Sequence, residues 1–205
     1  YKDTQRLKEG EASYQEALAL FWEFAKANPQ VSSYVAATLS NLGVLYHSTQ
    51  RFKDGEVSYR EALTIYRDLA KANPKIYSSR VAMTLNNLGA LYHKTQRMKE
   101  GEASYQEALT IFRDLAKTNP QAYSKDVART LNNLGTLYYS TQRFKEGEAS
   151  YQEALTTYRD LAKANPQAYL SYVAMTLNNL SLLYSNTQRF KEGEASYQEA
   201  LTTYR

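Results

Sequence analysis

An all-α solenoid of stacked, antiparallel helix pairs is the fold class this sequence predicts, and three observations predict it. The tripeptide Thr-Gln-Arg returns at 4–6, 49–51, 95–97, 141–143 and 187–189, a period of 45 residues once and 46 three times. A fixed period of this size marks stacked supersecondary units. The only four prolines, Pro29, Pro74, Pro120 and Pro166, hold the same place in their repeats. Between successive prolines lie two apolar stripes of helical period: Val81, Leu85, Leu88, Tyr92, then Met98, Gly101, Tyr105, Ala108, Phe112, Leu115. Both are the pattern of an amphipathic helix with one buried face.

Taken in order, the chain begins in a second-type helix over about 4–27 and then alternates. First-type helices are predicted at about 33–48, 77–94, 123–140 and 169–186, and second-type helices at about 51–72, 97–118, 143–164 and 189–205. Nine helices result, joined by short loops. Proline disfavours helix at the residue before it, so helices should stop near Asn28, Asn73, Asn119 and Asn165. Thr95-Gln96-Arg97 is the tight turn inside a pair. Glu100 and Glu102 early in a second-type helix, with Arg113 and Lys117 near its end, complement the helix dipole. The first repeat is one residue short between Pro29 and Tyr34, a loss that a loop can absorb. All eight glycines fall at two repeat positions, 43/89/135 and 10/55/101/147/193, with Ser181 in the fourth copy of the first. A mid-helix glycine costs about 1 kcal/mol against alanine, so its recurrence suggests helix backbones crossing too closely for a side chain.

Composition narrows the function classes. The net charge is +4, from 25 basic and 21 acidic residues that are interleaved, whereas a nucleic-acid footprint gathers basic residues on one face. No nucleic-acid partner is expected. Without cysteine, disulfide and thiolate-metal frameworks are excluded. No apolar run approaches the ~20 residues of a membrane-spanning helix, so no membrane partner is expected. His47 and His93 occupy equivalent places in adjacent repeats, but no third histidine or cysteine joins them, so neither metal nor cofactor is expected. There is no Gly-rich phosphate loop, no His-Glu-x-x-His and no Gly-x-Ser-x-Gly, so the chain is not expected to be an enzyme. It starts at Tyr1 and both ends fall inside a repeat, so residues 1–205 read as a single array excerpted from a longer one.

Leu85, Leu88, Gly89, Tyr92, Gly101, Tyr105 and Ala108 resemble the signature of tetratricopeptide repeats, with leucine at the usual tryptophan position. The string Val-Ala-x-Thr-Leu-Asn-Asn-Leu, at 81–88, 127–134 and 173–180, resembles the kinesin-light-chain subclass. The repeat is longer than the family's usual unit, because the second helix runs on through Arg113 to Lys117 before Pro120. The resemblance implies a right-handed superhelix, with first-type helices lining a concave groove that binds a peptide or partner protein.

Differences between copies are the place to look for function, since the identical positions are explained by the shared fold. On one face of the first-type helices the copies differ at four levels: Ala37/Met83/Arg129/Met175, Val44/Ala90/Thr136/Leu182, His47/His93/Tyr139/Ser185 and Ser48/Lys94/Ser140/Asn186. Between the first two levels run Ser40, Asn86, Asn132 and Asn178. Spacing of i, i+3, i+7, i+10 puts such residues on one side of a helix. The asparagines are predicted either to form a ladder of amides that pairs with the backbone of an extended peptide, or to bond between adjacent helices. His93, Lys94 and Arg129 would favour acidic groups; Met83, Met175 and Leu182 offer apolar contacts. Trp22 replaces the arginine of other copies (Arg67, Arg113, Arg159) and is predicted to pack against a segment preceding Tyr1. Three functional readings follow: an interaction scaffold, a self-associating array joined through uncapped terminal helices, and a sensor segment of a larger protein.

Overall fold

The computed structural model describes residues 2–203, with side chains from Arg6 onward except that of Pro29. The predicted end of the last helix at 205 lies outside the described residues, as do the side chains of Thr4 and Gln5 in the first copy of the marker. Among the described residues there are nine α-helices and one 3-10 turn, and no strand. These are α1 (Lys2–Ala27), a 3-10 turn at Pro29–Val31, α2 (Ser32–Ser48), α3 (Phe52–Ala72), α4 (Pro74–Lys94), α5 (Met98–Thr118), α6 (Pro120–Ser140), α7 (Phe144–Ala164), α8 (Pro166–Asn186) and α9 (Phe190–Thr203). The chain divides into two compact units, Tyr1–Ser104 and Tyr105–Arg205.

In each unit helices pack on their neighbours in sequence, and successive first-type helices also touch: α2 with α4, and α6 with α8. That is the solenoid arrangement of helix pairs. The first unit buries Val35 and Leu39 of α2 against Ala62 of α3, with Leu18, Phe21 and Ile65 packed around them. The predicted stripe Val81, Leu85, Leu88, Tyr92 is buried along α4. In the second unit Val127, Leu131, Leu134 and Tyr138 repeat it along α6, and Tyr151, Ala154 and Tyr158 face it from α7.

First-type helices start three residues earlier than predicted, at Pro74, Pro120 and Pro166 themselves. The ring that disfavours helix before it suits the first helical position, where no intrahelical N–H bond is lost. At α6 and α8 the preceding asparagine then caps the helix with its side chain, which Asn73 before α4 does not: the Oδ1 of Asn119 accepts from the Ala122 N–H at 3.1 Å and that of Asn165 from the Ala168 N–H at 3.2 Å. One asparagine thus ends one helix and begins the next. In the shorter first repeat, the 3-10 turn at Pro29–Val31 takes up the missing residue.

The glycines have a packing reason, but only half of it is the predicted backbone approach. A Cβ on Gly43 would lie 2.5 Å from the ring of Tyr59, and one on Gly135 2.6 Å from Tyr151, so these two make room for an aromatic ring. At Gly55 and Gly147 the neighbours are a leucine methyl at 3.1–3.2 Å and a facing carbonyl, of Gly43 or Gly135, at 3.4 Å. Here the helix backbones do run close. Gly10 meets nothing within 4 Å.

Candidate functional site

The Thr-Gln-Arg marker, read from the sequence as a turn alone, is a clamp. At the end of α4 the N–H of Gln96 bonds the His93 carbonyl at 3.1 Å, and that of Arg97 bonds the Tyr92 carbonyl at 2.8 Å. This pair is the Schellman pattern, which places a left-handed residue after the helix. Gln50, Gln96, Gln142 and Gln188 all take it, with φ of 59 to 63°. The arginine that follows lies over the tyrosine ring three residues before the helix cap, at 4.3 Å in each of four copies (Arg51/Tyr46, Arg97/Tyr92, Arg143/Tyr138, Arg189/Tyr184). It also pairs with a glutamate one repeat back: Arg51 with Glu11 at 2.7 Å, Arg97 with Glu56 at 2.7 Å, Arg189 with Glu148 at 2.6 Å. A second carboxylate three residues on, Glu100, Glu146 or Glu192, is held below the ordinary carboxylate range by its arginine. These residues join consecutive second-type helices through the turn; theirs is an architectural task.

The candidate site lies on the other face of the first-type helices. In the first unit, α2 and α4 leave between them a cavity of about 240 Å³. It is lined by Ala37, Ser40, Asn41 and Val44 of α2, by Arg80, Met83, Thr84 and Asn87 of α4, and floored by Tyr66 of α3. Burial pushes the Tyr66 hydroxyl up, a shift that Arg80 and Ser40 beside it partly offset. Met83 and Val44 are exposed, Ala90 is half-buried and Asn86 is buried, with 4 % of its surface accessible. At the far end of the face His47 packs edge-on to Phe52 at 5.8 Å, while Lys94 is exposed. Burial, then the charge of Lys94, lowers the pKa of both His47 and His93.

In the second unit the same face runs along α6 and α8. Arg129 pairs with Asp126 of its own helix at 2.8 Å. Asn132 is buried, 7 % accessible, and its Oδ1 accepts from the Thr176 hydroxyl at 3.3 Å and from the Asn179 amide at 3.2 Å. Of the two roles predicted for this asparagine, its amide oxygen serves the interhelix one. Thr136 accepts from the Tyr151 hydroxyl at 3.1 Å and is half-buried. Tyr139 lies edge-on to Phe144 at 5.9 Å and accepts from the Asn186 amide. Met175, Asn178 and Leu182 are exposed. Trp22 lies 45 % exposed on α1 between Leu20 and Phe24, which are also exposed, while Phe21 turns inward to stack on Tyr34 at 5.5 Å.

Among the described residues no group of three His, Asp or Glu side chains could hold a metal ion, and no helix is long and apolar enough to cross a membrane. Two family models described as tetratricopeptide repeat match the chain, one over residues 80–160 and the other over 35–73 and 173–205. The chain is a tetratricopeptide-repeat protein. Such repeats are a scaffold for protein interaction, and protein partners are what they take. No curated protein sequence matches the chain. Among solved structures, BtubC (BKLC) from P. vanneervenii is similar at 21 % identity over 97 % of this chain and 91 % of that one, with a TM-score of 0.60. MamA is similar at 15 % identity over 96 % and 92 %, with a TM-score of 0.63. The apo form of RapI is similar at 12 % identity and a TM-score of 0.70, over 94 % of this chain and 49 % of RapI. At these identities the likeness speaks for the tetratricopeptide-repeat fold.

Proposed function

We infer that these repeats bind an extended peptide, or an extended segment of a partner protein, along the face of the first-type helices. One observation carries the reading. Within nearly identical repeats, the residues that differ on this face include large apolar side chains held in the open: Val44 and Met83 in the first unit, Met175 and Leu182 in the second. Apolar side chains grouped on an otherwise polar surface mark an interaction site, and varied neighbours around a constant frame provide specificity. His47, His93, Lys94, Arg129, Tyr139 and Asn178 supply polar contacts on the same face. Asn86 and Asn132, being buried, act chiefly by spacing the helices.

A peptide-library selection on this chain tests it, run beside a variant carrying Met83→Lys, Met175→Lys and Leu182→Lys. These side chains are exposed, so the variant keeps the fold. A consensus enriched by the parent and lost by the variant is expected. One that survives would move the site off this face.

The exposed apolar residues of the two terminal helices favour a second reading, self-association. Leu20, Trp22 and Phe24 are exposed on α1, and Phe190, Tyr197 and Leu201 on α9. A strict monomer by light scattering at high concentration would remove it.

A further inference from the structure

We propose that Trp22 of α1 and Glu61 of α3, on the second-type helices of the first unit, form a site for an arginine side chain of a protein partner. The site is independent of the reading of the first-type face. Comparison of the repeats shows what it lacks. In the second unit Arg113 pairs with Glu153 of α7 at 2.6 Å, and Arg159 of α7 pairs with Glu199 of α9. An arginine on one second-type helix thus meets a glutamate on the next. Trp22 and Glu61 hold the same two repeat positions, so the glutamate is kept while an indole stands where its arginine would be.

The helix phase agrees with this pairing. Glu11 and Trp22 are eleven residues apart, about three helical turns, so Trp22 lies on the side of α1 from which Glu11 reaches Arg51 at the entry to α3. Leu18, Phe21 and Ala25 take the inward side. Glu61 is exposed, and among the described residues its side chain makes no ion pair or hydrogen bond. The cations near both residues in sequence are engaged elsewhere: Lys26 with Glu23 at 2.7 Å, and Arg60 with Glu56 at 3.0 Å. Trp22 is 45 % exposed, and its indole enters no ring stack or cation contact among the described residues.

The same unit shows what an aromatic ring and a glutamate hold when set together. Arg51 lies 4.3 Å over the ring of Tyr46 and pairs with Glu11 at 2.7 Å; Arg97 does the same with Tyr92 and Glu56. A planar guanidinium stacks on an aromatic face and meets a carboxylate with two parallel N–H bonds. Indole is the best of the side-chain rings for a cation. Trp22 and Glu61 supply the ring and the carboxylate, so the absent third member defines the occupant. An ammonium is compact and more strongly hydrated, and leaves water for the ring less readily. Two exposed groups screened by water hold one side chain as part of a larger contact, which fits a protein partner.

Trp22 is the only tryptophan, so its emission reports the site directly. The probes are N-acetyl-arginine methylamide and its citrulline and lysine counterparts, titrated into the chain at constant ionic strength. A saturable change with the arginine probe is expected, with affinity about tenfold weaker for uncharged citrulline, the combined effect of an exposed ion pair and a cation–π contact. Glu61→Gln keeps the indole and should reduce that preference to about threefold, the share of the ring alone. Trp22→Arg supplies the guanidinium from the chain itself, so the backbone amide shifts that the arginine probe causes along α3 in the parent should be absent. The Met83→Lys, Met175→Lys, Leu182→Lys variant should bind the probe as the parent does, which separates this site from the first-type face. Absence of a saturable change, a lysine probe bound as tightly as arginine, or an undiminished preference in Glu61→Gln overturns the proposal.

Discussion

At Gln96 the backbone takes φ of 63°, in the left-handed region where a side chain is strained and glycine is not. Gln96→Gly should therefore stabilise the chain by about 0.5–1 kcal/mol, the left-handed penalty less the entropy glycine adds to the unfolded state. Urea denaturation reads this, and Gln96→Val in the same experiment should destabilise. The same position in the other repeats should respond alike and additively, because sites this far apart share no partner. A second prediction concerns His47 and His93, whose pKa values are lowered in the fold by burial and by Lys94. The unfolded chain then binds more protons than the folded one near their ordinary value of about 6.5, so stability rises with pH there. It should be whole above that value and fall as the pH drops below it. The urea midpoint of the parent should decrease from pH 7.5 to 5.5 by more than that of a His47→Gln, His93→Gln variant; equal decreases would mean that the imidazoles take up protons as readily in the fold as in the unfolded chain. The sequence put both histidines on one face but could not show what surrounds His47, because Phe52 reaches it through the turn and Lys94 through the packing of α4 beside α2.

Among helices, the recurring glycines offer a controlled comparison. Alanine at Gly135 gains about 1 kcal/mol of helix propensity but sets its Cβ 2.6 Å from the ring of Tyr151, a residue with 2 % of its surface accessible and no room to retreat. Overpacking of this kind costs about 1–3 kcal/mol, so Gly135→Ala should be destabilising on balance. Gly10→Ala meets nothing within 4 Å and should be stabilising by up to about 1 kcal/mol. Opposite signs at these two mid-helix glycines, which hold different repeat positions, are the expected result of thermal denaturation and would assign the cost at Gly135 to its ring contact; equal signs would refute it. The fourth copy shows the alternative arrangement: Ser181 stands at the glycine position, its hydroxyl donates to the Gly193 carbonyl at 2.8 Å, and Tyr197 is 51 % exposed. Period and apolar stripe gave the helices and their order directly, since both follow from a burial pattern written in the chain. Helix starts did not follow, because proline reads equally as a stop for one helix and a first residue for the next. The Arg97–Tyr92 clamp was also hidden, being formed by a turn geometry that no spacing encodes.

For the molecule as a whole, near-identity of the repeats has a thermodynamic consequence. Residues 95–140 and 141–186 differ at 12 of 46 positions, mostly on the varied face and at the loop, so the repeats should have nearly equal intrinsic stabilities. Differences in local opening then come from how many sides of a helix are packed. Within their units α2, α3, α7 and α8 pack on a neighbour at both sides, whereas α1 and α9 leave apolar side chains such as Phe24 and Phe190 in the open. Burying such a side chain contributes about 1.5–3 kcal/mol, more than the intrinsic differences expected between like repeats. Hydrogen exchange should accordingly show α1 and α9 as less protected than α2, α3, α7 and α8. The same measurement distinguishes the two functional readings. If self-association covers the terminal helices, their protection should rise with protein concentration while that of the inner helices stays fixed. If the first-type face takes a peptide, a selected peptide should raise protection along α2, α4, α6 and α8 at any concentration and leave α9 unchanged.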